Sequence, residues 1–247
     1  MSLELIPVAG LPEIRAGDPL GAMLADAARP RRDDALVVSQ KVVSKAEGRL
    51  RRLEDVEPGE RALELASRLG KDPAVVQVVL DESRSVIRAD HGVLITESRS
   101  GWICANAGID ASNVSVHGSV TLLPLDPDAS ARRIRSELRA AVGSSPAVVI
   151  ADSFGRPWRL GQCDVAIGCA GLAPLDDWRG RRDRAGRELT ATVVALADEL
   201  AAAADLAREK DAGVPAVVVR GLGQRVTDSD GPGAAVVRRP AEDDLFR

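Results

Sequence analysis

The chain has 247 residues, 45% hydrophobic and 28% charged, with 33 Lys+Arg against 37 Asp+Glu for a net charge of −4. That mild acidity argues against nucleic acid or an anionic membrane as the main partner, since both require a concentrated positive field, and the composition excludes disorder, collagen and coiled coil. Folded compactly, a chain of this mass exposes about 10,500 Å² and buries about 70% of its unfolded surface, so a full core needs no covalent staples.

Leu3–Val8 alternates like a short strand and runs into a Gly-Leu-Pro-Glu turn at 10–13. Pro19–Ala28 carries Leu20, Met23, Leu24 and Ala27 at helical spacing, with Asp18 placed as its N-cap. Ala35–Ser39 has the length and apolarity of a buried strand. Glu60–Leu69 and Pro73–Glu82 read as consecutive helices, split by Gly70 and restarted through Pro73 at a first-turn position. Val86–Ala89, Val93–Ser98 and Val120–Leu123 are strand candidates. Asp128–Val142 is the clearest amphipathic helix; Gly143 ends it, and the apolar strand Ala147–Ala151 follows. Thr192–Arg208 reads as a long Ala-rich helix leading through Gly213 and Pro215 into the strand Ala216–Arg220. Gly221–Gly233 is expected to be a loop and Glu242–Arg247 a terminal extension. Irregular alternation of helices and strands predicts a mixed α/β (α+β) fold rather than a strict βαβ repeat.

Cys104, Cys163 and Cys169 are an odd set without C-x-x-C spacing, so zinc and disulfides are not expected. Cys163 and Cys169 are expected as small buried hydrophobes, and the isolated His91 and His117 as surface or capping residues. The N-terminus has no basic n-region followed by an apolar h-region, and no run approaches the length of a membrane span. The expectation is a soluble cytoplasmic protein. No P-loop, no G-x-G-x-x-G after a strand and no G-x-S-x-G elbow occurs, so nucleotide use would follow neither P-loop nor Rossmann geometry.

Three segments carry chemistry. Ser39–Arg49, directly after a strand, delivers Lys41 and Lys45 with polar neighbours; it suits phosphate oxygens or is a solvated turn with surface lysines. Asn106–Asn113 is a polar loop in which Asp110 and Asn113 suit a metal and a nucleotide, or cap a turn. Ala147–Arg159 takes an apolar strand into Asp152-Ser153, a carboxylate and a hydroxyl of the kind that holds Mg²⁺ or Mn²⁺; a cap by Asp152 is the alternative. Seven arginines between Arg156 and Arg187 suit a polyanionic small molecule or a charged solvated face.

Taken in order, Ile6–Ile14, Val42–Arg49, Ala107–Val114, Asp152–Arg159, Gly161–Gly168 and Val218–Gly221 make the chain resemble the coenzyme F420-0:L-glutamate ligase family. Arg239-Pro240 and Asp244–Phe246 look like that family's closing segment. The resemblance implies a two-part mixed α/β fold, formed by one ligase domain over 1–247 with two closely packed subdomains and no C-terminal flavin reductase domain. It also implies a homodimer and GTP-dependent addition of L-glutamate to the lactyl carboxylate of coenzyme F420-0 through an acyl phosphate. Mg²⁺ or Mn²⁺, two per subunit, with K⁺ as a further cation, would assist.

By position, the resemblance places Leu11, Pro12, Glu13, Ile14, Gln40, Lys45 and Asn113 at GTP, Asp110 and Asp152 on the first metal, and Ser153 on the second. Asp110, Asp152 and Lys45 would be the catalytic set, and the arginine-rich segment would face the acceptor's phosphodiester and carboxylates. Three positions depart from the family pattern: Gln40 for Ser or Thr, Ser153 for Thr, and Cys163 for Thr. Lys210 stands where archaeal members place a metal-binding glutamate, which leaves Glu209 or Asp211 to substitute. A non-ligating GTP-binding homologue and a metal-dependent phosphohydrolase are the competing readings.

Overall fold

A computed structural model describes residues 2–110, 118–208 and 212–244. Its strands are β1 (Glu4–Val8), β2 (Ala35–Ser39), β3 (Leu50–Arg52), β4 (Ser83–Asp90), β5 (Val93–Ser98), β6 (Ile103–Ala105), β7 (Ser119–Thr121), β8 (Ala147–Arg156), β9 (Arg159–Ala170), β10 (Asp176–Asp177), β11 (Val193–Val194) and β12 (Ala216–Arg220). The helices are α1 (Leu20–Ala28), α2 (Gln40–Ala46), α3 (Glu60–Leu69), α4 (Pro73–Asp81), α5 (Pro127–Val142) and α6 (Leu196–Asp205). Ser112, Asn113, His117, Glu209, Lys210, Asp211 and Phe246 lie outside the described residues.

Three apolar runs, Ala35–Val38, Ala147–Ile150 and Ala216–Val219, have essentially no exposed surface, as expected of strands covered on both faces. They form the middle of a five-stranded sheet in the order β1-β12-β2-β8-β9. β2 and β8 are parallel, from Ala35 opposite Ala147 to Ser39 opposite Ala151. β12 is antiparallel to β2, β1 to β12, and β9 to β8. Residues of α1, α5 and α6 complete this core through Leu20, Leu24, Ile134, Leu138, Ala197 and Ala201. The mixed α/β class expected from the sequence is the class found, and one parallel pair among antiparallel neighbours is not a doubly wound sheet.

A second core joins α3 and α4 to the sheet β4-β5-β6 through Leu65, Leu69, Val76, Val79 and Leu94. Here the predicted punctuation works as read. Gly70 takes the left-handed cap of α3 at φ 62°, and Asp72 accepts hydrogen bonds from the Ala74 and Val75 amides at the start of α4. β4 turns into β5 through His91-Gly92, both at positive φ, as a two-residue hairpin with right-handed strand twist requires. Gly143, at φ 69°, ends α5.

Four expectations need correction. Asp18 does not cap α1; its carboxylate accepts the Arg15 amide at 2.7 Å and closes a turn instead. Ser39–Arg49 is no turn, because Gln40–Ala46 is helical. The expected strand ending at Ala151 continues to Arg156, since β9, absent from the sequence reading, pairs with it along the hairpin. Thr192–Arg208 is not one helix: Val193 and Val194 pair with Asp177 and Asp176, and α6 begins only at Leu196. β-branched residues at the start of that window favour the strand wherever a partner is at hand. The loop 221–233 is pinned by buried Arg135, which donates to the carbonyls of Ser145, Pro146, Thr227 and Asp228 and pairs with Asp230 at 2.7 Å.

The accessible surface is 13341 Å², roughly a quarter more than a compact monomer of this mass exposes. Part of the excess lies at the β8–β9 hairpin tip, where Trp158 and Leu160 are 83% and 98% exposed. At the other end of β9 packing is tight: a Cβ at Gly168 would stand 2.3 Å from the Pro127 carbonyl oxygen at the start of α5. Gly168→Ala should therefore destabilise the protein by about 1–3 kcal/mol through forced displacement of α5, read as a lower urea midpoint with unchanged slope.

Candidate active site

Ser39 and Ala151 are paired in the parallel register, so at the carboxyl edge of β2 the chain turns into α2 at Gln40 and Lys41 beside Asp152, where β8 runs on toward Arg156. That edge is where ligands gather in α/β sheets. Lys41 and Lys45 stand four residues apart on α2 and therefore share a face. Lys41 Nζ lies 2.7 Å from Asp110 Oδ2, and Lys45 Nζ lies 2.7 Å from Glu13 Oε1. One short helix thus ties three separate sequence segments together.

Gln40 is completely buried; its Oε1 accepts from the Ser44 hydroxyl at 2.9 Å, and its Nε2 has no partner among the described residues. Within 11–14, Glu13 and Pro12 are exposed and Leu11 is half-buried, while Ile14 is sunk into the main core. Ile14 can thus offer a ligand only its backbone.

Asp110 is fixed through its main chain. Its amide and carbonyl exchange hydrogen bonds with Thr121 at 3.1 and 2.8 Å, and the Thr121 hydroxyl donates to the same carbonyl at 3.1 Å. The chain reaches it through three successive left-handed residues, Asn106, Ala107 and Gly108. Gly108 is required there, because a Cβ would meet Leu123 at 2.6 Å. Left-handed backbone at Ala107 is strain of the kind that persists only where surrounding structure enforces it.

Asp152 sits inside β8 and caps no helix. Loss of water on burial, with the Asp164 and Asp110 carboxylates adding repulsion, pushes its pKa up to about 7; the Ser153 amide and Lys41 oppose the shift. Ser153 is opposite Asp164 in the β8–β9 register, and its hydroxyl donates to Asp164 Oδ1 at 2.6 Å. Asp164 is almost wholly buried and pairs with Arg208, which also approaches Asp205 at 3.7 Å. Arg208 Nη1 is a second buried donor without a partner among the described residues. Cys104, held up at about 12 by burial, also senses Asp152, so it is no nucleophile at neutral pH.

All three cysteines are free; Cys169 is buried as expected, whereas Cys163 is only half-buried. The arginine-rich segment largely serves itself. Arg179 makes a bidentate pair with Asp177, whose carboxyl it holds down at about 2, and Arg181 approaches Asp176 at 3.4 Å and lies over the Trp178 ring.

A family model described as F420-0:Gamma-glutamyl ligase matches residues 10–221. The chain belongs to that family. It is 46% identical over 253 aligned positions to the coenzyme F420:L-glutamate ligase of Methanothermobacter thermautotrophicus, covering 100% of both chains. The proteins of the same name from Methanopyrus kandleri and Archaeoglobus fulgidus are 46% and 48% identical, over 100% and 90% of this chain and 98% and 89% of theirs.

In this chain the donor set at the sheet edge suits a hard cation. Asp110 and Asp152 are mutually repelling carboxylates, and the ammonium of Lys41 already supplies positive charge beside them. Among the described residues no three His, Cys, Asp or Glu side chains are arranged to hold an ion alone. Two carboxylates completed by phosphate oxygens and water match the way Mg²⁺ is commonly bound. The sequence pairs Lys41 with Lys45 as a phosphate candidate without assigning it to the site, and gives no sign of Asp164 or Arg208. Lys41 is the helical neighbour of Lys45, whereas Asp164 emerges only from the β8–β9 register and Arg208 only from its ion pair with Asp164.

Because the folded-state pKa of Asp152 lies near 7 against an ordinary 3.8, the native state binds the extra proton, and its stability falls as pH rises between those values. In metal-free protein Asp152→Asn should remove that slope: melts should match the wild type at about pH 4 and exceed it at about pH 8. Parallel melting curves across that range would refute the shift.

Proposed function

We propose that the chain is a GTP-dependent coenzyme F420-0:L-glutamate ligase. The observation that carries this reading is the convergence of Lys41, Lys45, Asp110 and Asp152 at one sheet edge in a chain that aligns end to end with proteins of that name. The buried donors Gln40 Nε2 and Arg208 Nη1 support an oxygen-rich ligand, because buried polar groups ordinarily have partners.

A carboxylate is a poor electrophile until it is phosphorylated. The γ-phosphoryl of GTP passes to the lactyl carboxylate of the acceptor, leaving GDP, and the amine of L-glutamate attacks the acyl phosphate to form the amide and release phosphate. Two anions must meet in the first step, and Lys41 and Lys45 lower that repulsion by placing ammonium groups at the phosphates. Glu13 orients Lys45, and the Asn113 amide would contact the nucleotide. Mg²⁺ or Mn²⁺, held by Asp110 and Asp152 at one position and Ser153 at a second, would neutralise phosphate charge, with K⁺ as a further cation. The excess surface fits a homodimer in the cytoplasm that covers part of it. No helix among the described residues is long and apolar enough to cross a membrane.

Incubation with GTP, Mn²⁺, L-glutamate and coenzyme F420-0 should release GDP only when both acceptor and amino acid are present. Phosphate release without glutamate would indicate a hydrolase, and nucleotide binding without either product a non-ligating homologue. Asp110→Asn and Asp152→Asn should each abolish most ligation, with the double variant scarcely worse, as residues acting through one ion are non-additive. Lys45→Ala should weaken GTP binding, measured by calorimetry, about ten- to a hundredfold while sparing glutamate binding, as loss of a charge-assisted hydrogen bond does.

A further inference from the structure

β8 and β9 carry an arrangement that the proposed reaction does not itself account for. Ser153 lies opposite Asp164, and the serine hydroxyl spends its proton on Asp164 Oδ1 at 2.6 Å. Asp164 is almost wholly buried and is held from its other side by Arg208, a residue more than forty positions away. A serine hydroxyl has one proton and two lone pairs on a freely turning bond. Where the proton goes decides which way the lone pairs face. A buried carboxylate is costly unless paired, and Arg208 supplies that pairing, so the acceptor is charged, fixed and unable to rotate away. Asp164 nevertheless acts on Asp152 together with Asp110 and Lys41, so the Ser153–Asp164 pair stands beside the Asp152 carboxylate and not across the sheet from it.

We propose that Asp164, clamped by Arg208, is a positioning residue that takes the Ser153 proton and so aims the hydroxyl oxygen as an acceptor at the cation site beside Asp152. This rests on the reading of Asp110, Asp152 and Ser153 as cation ligands. It assigns the hairpin a purpose beyond packing: β9 brings the acceptor, and Arg208, just beyond α6, brings the clamp. It also explains why a serine suffices where a hydroxyl ligand must not act as a donor. A hydroxyl whose proton pointed at the cation would repel it.

The test measures Mn²⁺ binding by the full-length protein without nucleotide or substrates, from the electron paramagnetic resonance signal of the free ion, alongside thermal melts. Asp164→Leu combined with Arg208→Met removes acceptor and clamp together and keeps the local charge balanced, a replacement that buried ion pairs often tolerate. It should weaken Mn²⁺ binding about tenfold, the usual scale for groups that orient a metal ligand. The same double change in a Ser153→Ala background should have no further effect, because no hydroxyl is left to aim. If that variant does not fold, Asp164→Glu, which keeps the charge and shifts the acceptor, should behave likewise in both backgrounds. An equal loss with and without Ser153, or no loss, overturns the proposal. Mn²⁺ binding weakened by Asp110→Asn and Asp152→Asn but unmoved by Ser153→Ala would overturn it while leaving the first cation site standing. No effect from any of these three changes would bring down the cation reading itself, and this inference with it.

Discussion

Three aspartates, Asp110, Asp152 and Asp164, share one partly buried edge of the sheet, and holding their like charges together is the constraint around which this part of the molecule is built. Loss of water on burial, with the two neighbouring carboxylates adding repulsion, is why Asp152 stands well above an ordinary aspartate. The fold answers with one cation for each flank: Lys41 on Asp110 and Arg208 on Asp164. Asp152, between them, has a backbone amide and the more distant Lys41 on its favourable side. A site left with one under-compensated carboxylate is a site with affinity for positive charge, and the chemistry proposed for this chain uses that residual field.

The scaffold that holds these charges is rigid for simple reasons. β2 and β8 are buried from Ala35 to Val38 and from Ala147 to Ile150, so a core covering both faces holds the pair in place. Their register aligns Ser39 with Ala151 and so fixes where Lys41 and Asp152 emerge. Asp110 arrives from another direction and is pinned by main-chain bonds to Thr121, which leaves its carboxylate as the part that can respond to a ligand. α2 then acts as a brace, with Lys41 reaching Asp110 and Lys45 reaching Glu13. Packing supplies the geometry, and electrostatics supplies the affinity.

The arginine-rich segment shows what composition alone leaves open. Its excess positive charge suits a polyanion, yet Arg179 and Arg181 are engaged with Asp177 and Asp176 and with Trp178 beside them. Exposed pairs of this kind contribute little to stability and are readily exchanged for a better partner. The segment is therefore organised in isolation without being committed, in contrast to Arg135, whose guanidinium is saturated by four carbonyls and Asp230 deep in the protein.

By itself the sequence determined the elements whose signals are local. Continuous apolar runs marked β2, β12 and the first half of β8, Gly70 and Gly143 marked helix ends, and Pro73 marked a helix start, because periodicity and backbone sterics act over a few residues. It also singled out Lys45, Asp110, Asp152 and Ser153 and the family they point to. It missed β9, whose first half is exposed and carries no apolar run, and read a helix through Val193 and Val194, whose partner β10 lies outside that helical window. For the same reason only the tertiary structure decided that Lys41 faces Asp110 and that Asp164 and Arg208 stand behind Ser153. Strand pairing is a long-range choice driven by burial of a whole face, and no window of sequence contains both halves of it.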